Sequence, residues 1–117
     1  MVELSLVYVT AESIEAAEKI ARDAVTRRLA ACANILPGMV SLYHWNGVLE
    51  RASECVLVLK TRNSLIEALT ARILELHSYE TPCVLSIPVQ GGSADYMAWL
   101  LGETETPVRT AAGSGED

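Results

Sequence analysis

The chain has 117 residues, 50% of them hydrophobic, and a formal net charge of −6. This length is enough for one domain with its own core. The sequence contains no block of basic residues, so we expect no nucleic-acid partner. No apolar run is long enough to span a membrane and the N-terminus carries no targeting signal, so we expect no membrane partner either.

The cysteines bear on the cellular compartment. Cys32, Cys55 and Cys83 are widely spaced and form no CxxC pair. An odd number of separated cysteines is typical of reduced thiols and not of a disulfide framework. We therefore expect a cytoplasmic protein.

The first half of the chain predicts a strand, a helix and a long hairpin. LSLVYV, residues 4–9, is a short apolar run typical of a buried strand. Apolar residues then recur at helical spacing, with Ser13 as the predicted N-cap. Asn46-Gly47 lies between two apolar runs and predicts a tight hairpin turn, while Pro37-Gly38 predicts a bend or bulge.

The second half predicts a helix, a strand and a short last helix. Ser64 and Glu67 have the spacing of a capping box in front of an apolar helical stripe. In CVLSIPV, the predicted fourth strand, Pro88 must take an end, an edge or a bulge because it cannot donate to a ladder. The polar segment 103–117 predicts a flexible acidic tail, which leaves residues 1–102 as the single domain.

The element order β-α-β-β-α-β-α predicts an α+β fold. A split β-α-β arrangement gives a four-stranded antiparallel sheet with two helices on one face, which is the ferredoxin-like plan, plus an extra C-terminal helix. The β2–β3 hairpin is too long for one small domain to cover, and the mean hydropathy is positive. We therefore expect the hairpin to pack against another subunit.

Six segments together resemble one family. RLAACANILPG, SLYHWNGVLE, VLVLKTR, YETP, IPV and DYMAWL are similar, in order and spacing, to the CutA divalent-cation tolerance proteins. The resemblance covers about residues 4–102. It implies a homotrimer of ferredoxin-like subunits joined through the long hairpin, binding of copper or another divalent cation, a role in metal tolerance, and no established catalysis.

The resemblance also suggests metal ligands. His77 is the leading candidate because imidazole suits copper, although a histidine there could simply favour the end of a helix. Cys32 and Glu80 complete the predicted set, and Cys32 could equally be a small buried packing residue. A family cysteine and a second family histidine are replaced here by Val9 and Leu76, so the predicted copper site is weak.

An alternative function is a sensor for a small metabolite. Lys60, Tyr79 and Trp45 could line a ligand cleft between subunits, together with Glu80, as in the similar trimers of nitrogen-regulatory signalling proteins. A Lys60–Glu80 pair could instead be structural. Tyr43 and Trp45 are the predicted aromatic anchors of the trimer interface. A small enzyme on the same fold would need a histidine or carboxylate facing a closed apolar cavity.

Overall fold

The computed structural model describes residues 3–104, which form a sheet and three α-helices in the predicted order. The strands are β1 (Leu4–Ala11), β2 (Cys32–Trp45), β3 (Val48–Arg62) and β4 (Val84–Pro88). The helices are α1 (Ile14–Thr26), α2 (Ile66–Leu76) and α3 (Ala94–Gly102), and a 3-10 turn, Asn63–Leu65, precedes α2. Within this part of the chain no helix is long and apolar enough to cross a membrane.

The sheet has the strand order β2-β3-β1-β4, and every pair is antiparallel. One face is covered by α1 and α2. Alternate residues of the two central strands are fully buried on that face: Val7, Val9, Leu57 and Leu59. β4 is an edge strand that ends at Pro88, as its proline predicts. The predicted α+β class and the split β-α-β order are confirmed.

Local chemistry explains how α1 begins and how it is fixed to α2. The Ser13 hydroxyl accepts a hydrogen bond from the Ala16 N–H at 3.1 Å, which confirms the predicted N-cap. Arg72 on α2 donates to both carboxylate oxygens of Asp23 on α1, at 2.8 and 3.0 Å. The Arg72 hydrogen bonds, helped by Arg27, lower the pKa of Asp23 to about 2. The ion pair therefore joins the two helices across their outer surface.

The β2–β3 turn and the irregularity in β2 both occur at the positions that the sequence predicts. Asn46 and Gly47 have φ angles of 52° and 79°, the positive values that a type I′ turn requires. The β2–β3 register shifts between Leu36 and Met39, so Pro37-Gly38 forms the predicted bulge. Because the bulge lies in β2, β3 keeps its alternation without interruption.

Residues 39–54 form a hairpin arm that projects beyond the body of the domain. β1 pairs with β3 as far as Ala11 and Cys55, and the ladder continues only between β2 and β3. The arm exposes large apolar side chains: Val40, Leu42, Tyr43, Trp45, Val48 and Leu49. An isolated two-stranded ribbon with this much exposed apolar surface is typical of an interface.

The predicted capping box at Ser64 is wrong. Ser64 lies inside the 3-10 turn, and α2 begins at Ile66 with no side-chain hydrogen bond at its N-cap. The reason is a tertiary contact. The Asn63 N–H donates to the Glu3 carbonyl at 2.8 Å and the Asn63 side chain accepts from Ser5, so the chain turns tightly directly after β3.

Among residues 3–104, α3 covers one end of the opposite face of the sheet. Arg62 on β3 donates to the hydroxyl of Thr104 at 2.9 Å and to its carbonyl at 3.1 Å. Thr104 is buried, and Glu103 pairs with Arg28 at 3.0 Å. The first two residues of the predicted tail therefore pack on the body, and the remainder, 105–117, lies outside the described residues.

We predict that two leucines on α2 differ sharply in their contribution to stability. Leu69 is 0% exposed in the core and Leu74 is 51% exposed on the same helix. Leu69→Ala should lower the free energy of unfolding by about 3 kcal/mol, through lost burial and a residual cavity. Leu74→Ala should change it by less than about 0.5 kcal/mol. Urea denaturation measures both, and equal losses would contradict this placement of the core.

Candidate functional site

The loop 77–83 between α2 and β4 packs against the end of β1, and His77 holds it there. The Nε2 atom of His77 lies 2.7 Å from the Thr10 carbonyl oxygen. The Nδ1 atom accepts from the Tyr79 N–H at 3.1 Å, and the His77 and Tyr79 rings lie 4.6 Å apart. A carbonyl can only accept, so in this network Nε2 donates to the Thr10 carbonyl and Nδ1 is the acceptor.

This hydrogen bonding limits what His77 can do for a metal. Both ring nitrogens are engaged, and a metal needs a free lone pair on one of them. The lone pair of Nδ1 is available only if the Tyr79 amide gives it up. His77 as a metal ligand stays a prediction, and the contacts describe a residue that fixes the start of loop 77–83.

The central group of the site is Glu54, on β3 at the base of the arm. Its side chain is buried, and its two oxygens accept from the Ser41 hydroxyl and the Tyr79 hydroxyl, each at 2.6 Å. None of the ion pairs within residues 3–104 includes Glu54. A carboxylate in this position has hydrogen-bond donors but no basic partner to balance its charge.

The environment of Glu54 affects the two acids that lie next to it. Burial, followed by the hydrogen bond to Glu54, raises the pKa of Tyr79 well above its ordinary value. Burial also raises the pKa of the Cys83 thiol, and the Glu54 charge adds to this rise. The raised pKa makes the deprotonation of Cys83 that metal ligation requires less favourable than in an ordinary cysteine.

These groups surround an acidic cavity of about 440 Å³, between loop 77–83 and the hairpin arm. Its lining consists of Thr10, Tyr43, Trp45, Glu50, Glu54, Tyr79, Glu80, Thr81 and Cys83. Among the described residues, this lining holds three glutamates and no basic side chain. The cavity is therefore electronegative and rich in oxygen donors, the ligand type that hard divalent cations prefer.

Several predicted site residues meet in this cavity. Tyr79, Glu80, Trp45 and Tyr43 all line it, although they were predicted from three separate arguments. His77 does not line it, but lies behind Tyr79 in the same loop. The roles of these residues in metal binding, ligand binding and assembly stay predictions.

Lys60 and Cys32 lie elsewhere in the subunit. They face each other across β2 and β3, whereas Thr10, the partner of His77, pairs with Val56. Lys60 and Val56 are separated by about 13 Å of strand. Lys60 donates to the hydroxyl of Tyr96 at 3.1 Å, which raises the lysine pKa. One subunit therefore does not join Lys60 to Glu80, or Cys32 to His77.

Sequence reasoning missed Glu54, Ser41 and Glu50. Glu54 is the one charged residue directly before the apolar run CVLVL, at an even position that shares a face with Val56 and Lys60. A charge next to a hairpin, on the strand face that also carries Val56, could have signalled a polar site. Its partner Tyr79 is 25 positions away in the sequence, and local sequence patterns do not predict a contact over this separation.

Comparison with known proteins agrees with the fold. The family model described as CutA1 divalent ion tolerance protein matches residues 5–103. The chloroplastic protein CutA of Arabidopsis thaliana is 44% identical over 99 residues, which is 85% of this chain and 54% of that protein. The divalent-cation tolerance protein CutA of Archaeoglobus fulgidus is 36% identical over 96 residues, covering 82% of this chain and 93% of the relative.

Solved structures give the same result. CutA1 from Oryza sativa superposes with a TM-score of 0.87 at 39% identity, covering 89% of this chain and 95% of that one. The divalent cation tolerance protein from Thermus thermophilus gives 0.85 at 36% identity, covering 87% and 99%. Fold and comparisons together define an α+β protein of the divalent-ion tolerance class. The chain belongs to the CutA1 family, as its motifs predicted.

The relatives differ in length from this chain. It spans 54% to 64% of the length of the plant and animal relatives it matches. The matched part is the domain that carries the sheet, the arm and the acidic cavity.

We predict that the Tyr79 hydroxyl stabilises the fold through Glu54. Tyr79→Phe leaves a buried carboxylate with one donor fewer, so the free energy of unfolding should fall by about 2 kcal/mol. Tyr43→Phe, at an exposed ring of the same cavity, should change it by less than about 0.5 kcal/mol. Urea denaturation at neutral pH measures both variants.

The pH dependence follows from the same contact. The raised pKa of Tyr79 keeps its phenol protonated in the folded state, while the unfolded chain loses this proton at about pH 10. The contribution is therefore complete below about pH 10 and is lost as the pH rises further. Stability should fall more steeply with alkali in the wild type than in Tyr79→Phe, and identical profiles would contradict the assignment.

Proposed function

We propose that this protein binds divalent cations in the acidic cavity and acts in divalent-cation tolerance without catalysing a reaction. The observation that carries the proposal is the buried Glu54 carboxylate, which has two hydroxyl donors and no basic partner among the described residues. Glu50 and Glu80 line the same cavity. A bound cation would supply the missing positive charge, and the family's name points to the same class of ligand.

The carboxylates of the acidic cavity are the proposed ligands for copper or another divalent cation, although within residues 3–104 no group of three or more His, Cys, Asp or Glu side chains is close enough together to hold a metal ion. Glutamate oxygens and hydroxyls suit hard ions, but at a given oxygen or nitrogen site Cu²⁺ binds more tightly than the other first-row divalent ions. Copper therefore follows from the general affinity order and not from soft ligands, because Cys83 is held as a thiol and Cys32 lies at the other end of the sheet. We expect the binding to be weak, since Glu50 and Glu80 are exposed.

We propose that His77 has one of two roles in this site. It could join the ligand set through Nδ1 after releasing the Tyr79 amide, or it could keep loop 77–83 in place while the glutamates bind the cation. The two hydrogen bonds of its ring favour the second role. Mutation distinguishes these two roles, because replacing His77 abolishes metal binding only if His77 is a ligand.

We propose a homotrimer as the working assembly. The support is the exposed apolar surface on the arm and on the uncovered face of the sheet, where Leu36, Leu85 and Ile87 are 57%, 61% and 47% exposed. Trp45 and Tyr43 on the arm are the proposed aromatic anchors of the interface. A cytoplasmic location is part of the same proposal and is favoured by three separated free thiols.

A small-metabolite sensor is the weaker candidate. Its proposed cleft residue Lys60 is bound to Tyr96, about 20 Å along β3 from Glu54. Within residues 3–104 the acidic cavity is lined by three glutamates and no basic side chain, so it would repel an anionic metabolite. Only a neighbouring subunit that brings its own Lys60 to this cavity would restore that alternative.

We predict that cation binding depends on Glu80. In calorimetric titrations with Cu²⁺ and with Mn²⁺, Glu80→Gln should weaken binding about tenfold, because it removes one charged ligand. Glu67→Gln, an exposed carboxylate on α2, should bind as the wild type does. Equal affinities in all three proteins would overturn the proposed site.

The same titration on His77→Ala assigns the imidazole. Binding that disappears in this variant makes His77 a ligand. Binding that persists with similar affinity leaves it as the residue that holds loop 77–83. The molecular mass should be measured in the same buffer, so that a change in assembly is not mistaken for a lost ligand.

We predict that Trp45 contributes strongly to assembly. Its ring is 48% exposed in the isolated subunit, and truncating a buried aromatic anchor typically weakens association by about 3 kcal/mol. In sedimentation experiments, the Trp45→Ala trimer should therefore dissociate at protein concentrations at which the wild-type trimer is still intact. Trp99→Ala, at a similarly exposed tryptophan on α3, is the matched control. A trimer unchanged at low micromolar concentration in Trp45→Ala would contradict the interface.

A further inference from the structure

A second cavity, of about 600 Å³, lies at the opposite end of the sheet from the acidic cavity. It is bounded by the start of β1, the end of β4 and the side of α3. Its volume is within the range of about 300–1,000 Å³ that small-molecule sites occupy. Neither the proposed cation site nor the hairpin arm contributes a residue to it.

The walls of the second cavity are apolar. Met97, Ala98 and Leu101 line it from α3, and Pro88 and Val89 line it from the end of β4. The Val89 N–H donates to the Leu4 carbonyl at 2.9 Å, so the β4 wall is fixed to β1. A small residue at position 98 leaves room between the walls, and burying an apolar ligand there would remove hydrophobic surface from water.

The polar end of the second cavity carries one carboxylate, that of the exposed residue Glu3 directly before β1. The side-chain amide of Asn63 donates to the Glu3 carboxylate at 3.1 Å. Asn63 is itself held by its N–H bond to the Glu3 carbonyl and by the buried Ser5 hydroxyl. The lining residues in the described part of the chain include no lysine, arginine or histidine. Glu3 therefore presents a negative charge to the cavity without a basic partner in the lining.

We propose that the second cavity binds a small organic cation, namely a protonated amine with an aromatic or branched aliphatic body. The charge of Glu3 selects the ammonium group and repels a carboxylate or phosphate. The apolar walls take the body of the ligand, and the Gln90 side chain at the rim adds a further acceptor. An inorganic cation would leave these walls unused, so the ligand class differs from that of the acidic cavity.

The test is an NMR titration of the full-length protein with phenethylamine. Methyl resonances of Val89, Met97 and Leu101 should shift in a saturable way. The matched probe 3-phenylpropionate has the same ring with a carboxylate in place of the ammonium, and should bind at least about tenfold more weakly. No saturable shift with the amine, or equal binding of the two probes, would overturn the proposal.

Two variants locate the binding. Glu3→Gln should weaken amine binding about tenfold through loss of the charged acceptor, while Glu67→Gln leaves it unchanged. Ala98→Trp should abolish binding by filling the cavity, whereas Ala71→Trp, at an exposed alanine on α2, should not. Amine binding that persists in Ala98→Trp would place the ligand elsewhere and reject the site. Glu3→Gln should leave the affinity for Cu²⁺ unaltered. The test of amine binding is therefore independent of the test of the proposed cation site.

Discussion

The architecture depends on the uninterrupted alternation of β3. This strand runs from Val48 to Arg62, pairing with β2 along most of its length and with β1 over its second half. The bulge that β2 needs is placed at Pro37-Gly38, so β3 itself never changes face. Its odd residues Leu57 and Leu59 enter the core, and its even residues Glu54 and Lys60 lie on the opposite face. The two charged groups are therefore on the same face but about 20 Å apart along the strand.

The position of Glu54 along that strand explains why a cavity forms there. β1 ends opposite Cys55, so Glu54 is the first residue that β1 does not flank. Loop 77–83 fills the space that β1 leaves, and His77 secures the loop to the last part of β1 through the Thr10 carbonyl. The same loop brings the Tyr79 hydroxyl to Glu54. One carboxylate and one imidazole thus connect the body of the domain to the base of the arm.

Much of the fold could be predicted because its signals are local. Ser13 caps the helix it precedes, Asn46-Gly47 makes the turn, and Pro88 ends an edge strand. The capping box at Ser64 failed because Asn63 is held by a strand 58 positions earlier in the chain, a contact that no helical pattern records. A local cap decides where α1 begins, whereas tertiary hydrogen bonds decide where α2 begins.

The site was less predictable for the same reason. Tyr79 and Glu80 stand out because they lie in a polar segment between two apolar ones. Glu54 does not, because it lies within a strand, and its significance depends on a partner from another element. Lys60 also stood out, but its partner Tyr96 comes from α3 and not from loop 77–83. Residue type drew attention to some of the polar groups, and only the fold shows which of them lie at the same end of the sheet.

The acidic cavity and the proposed interface share residues, which has a thermodynamic consequence. Tyr43 and Trp45 line the cavity and also belong to the exposed apolar surface of the arm. If assembly buries these rings, it also removes water from around Glu54 and its neighbouring glutamates. Fewer waters strengthen the attraction between those carboxylates and a cation, while repulsion among the empty carboxylates opposes closure. Cation binding and assembly would then change each other's equilibrium by the same factor, because coupling between two equilibria is reciprocal.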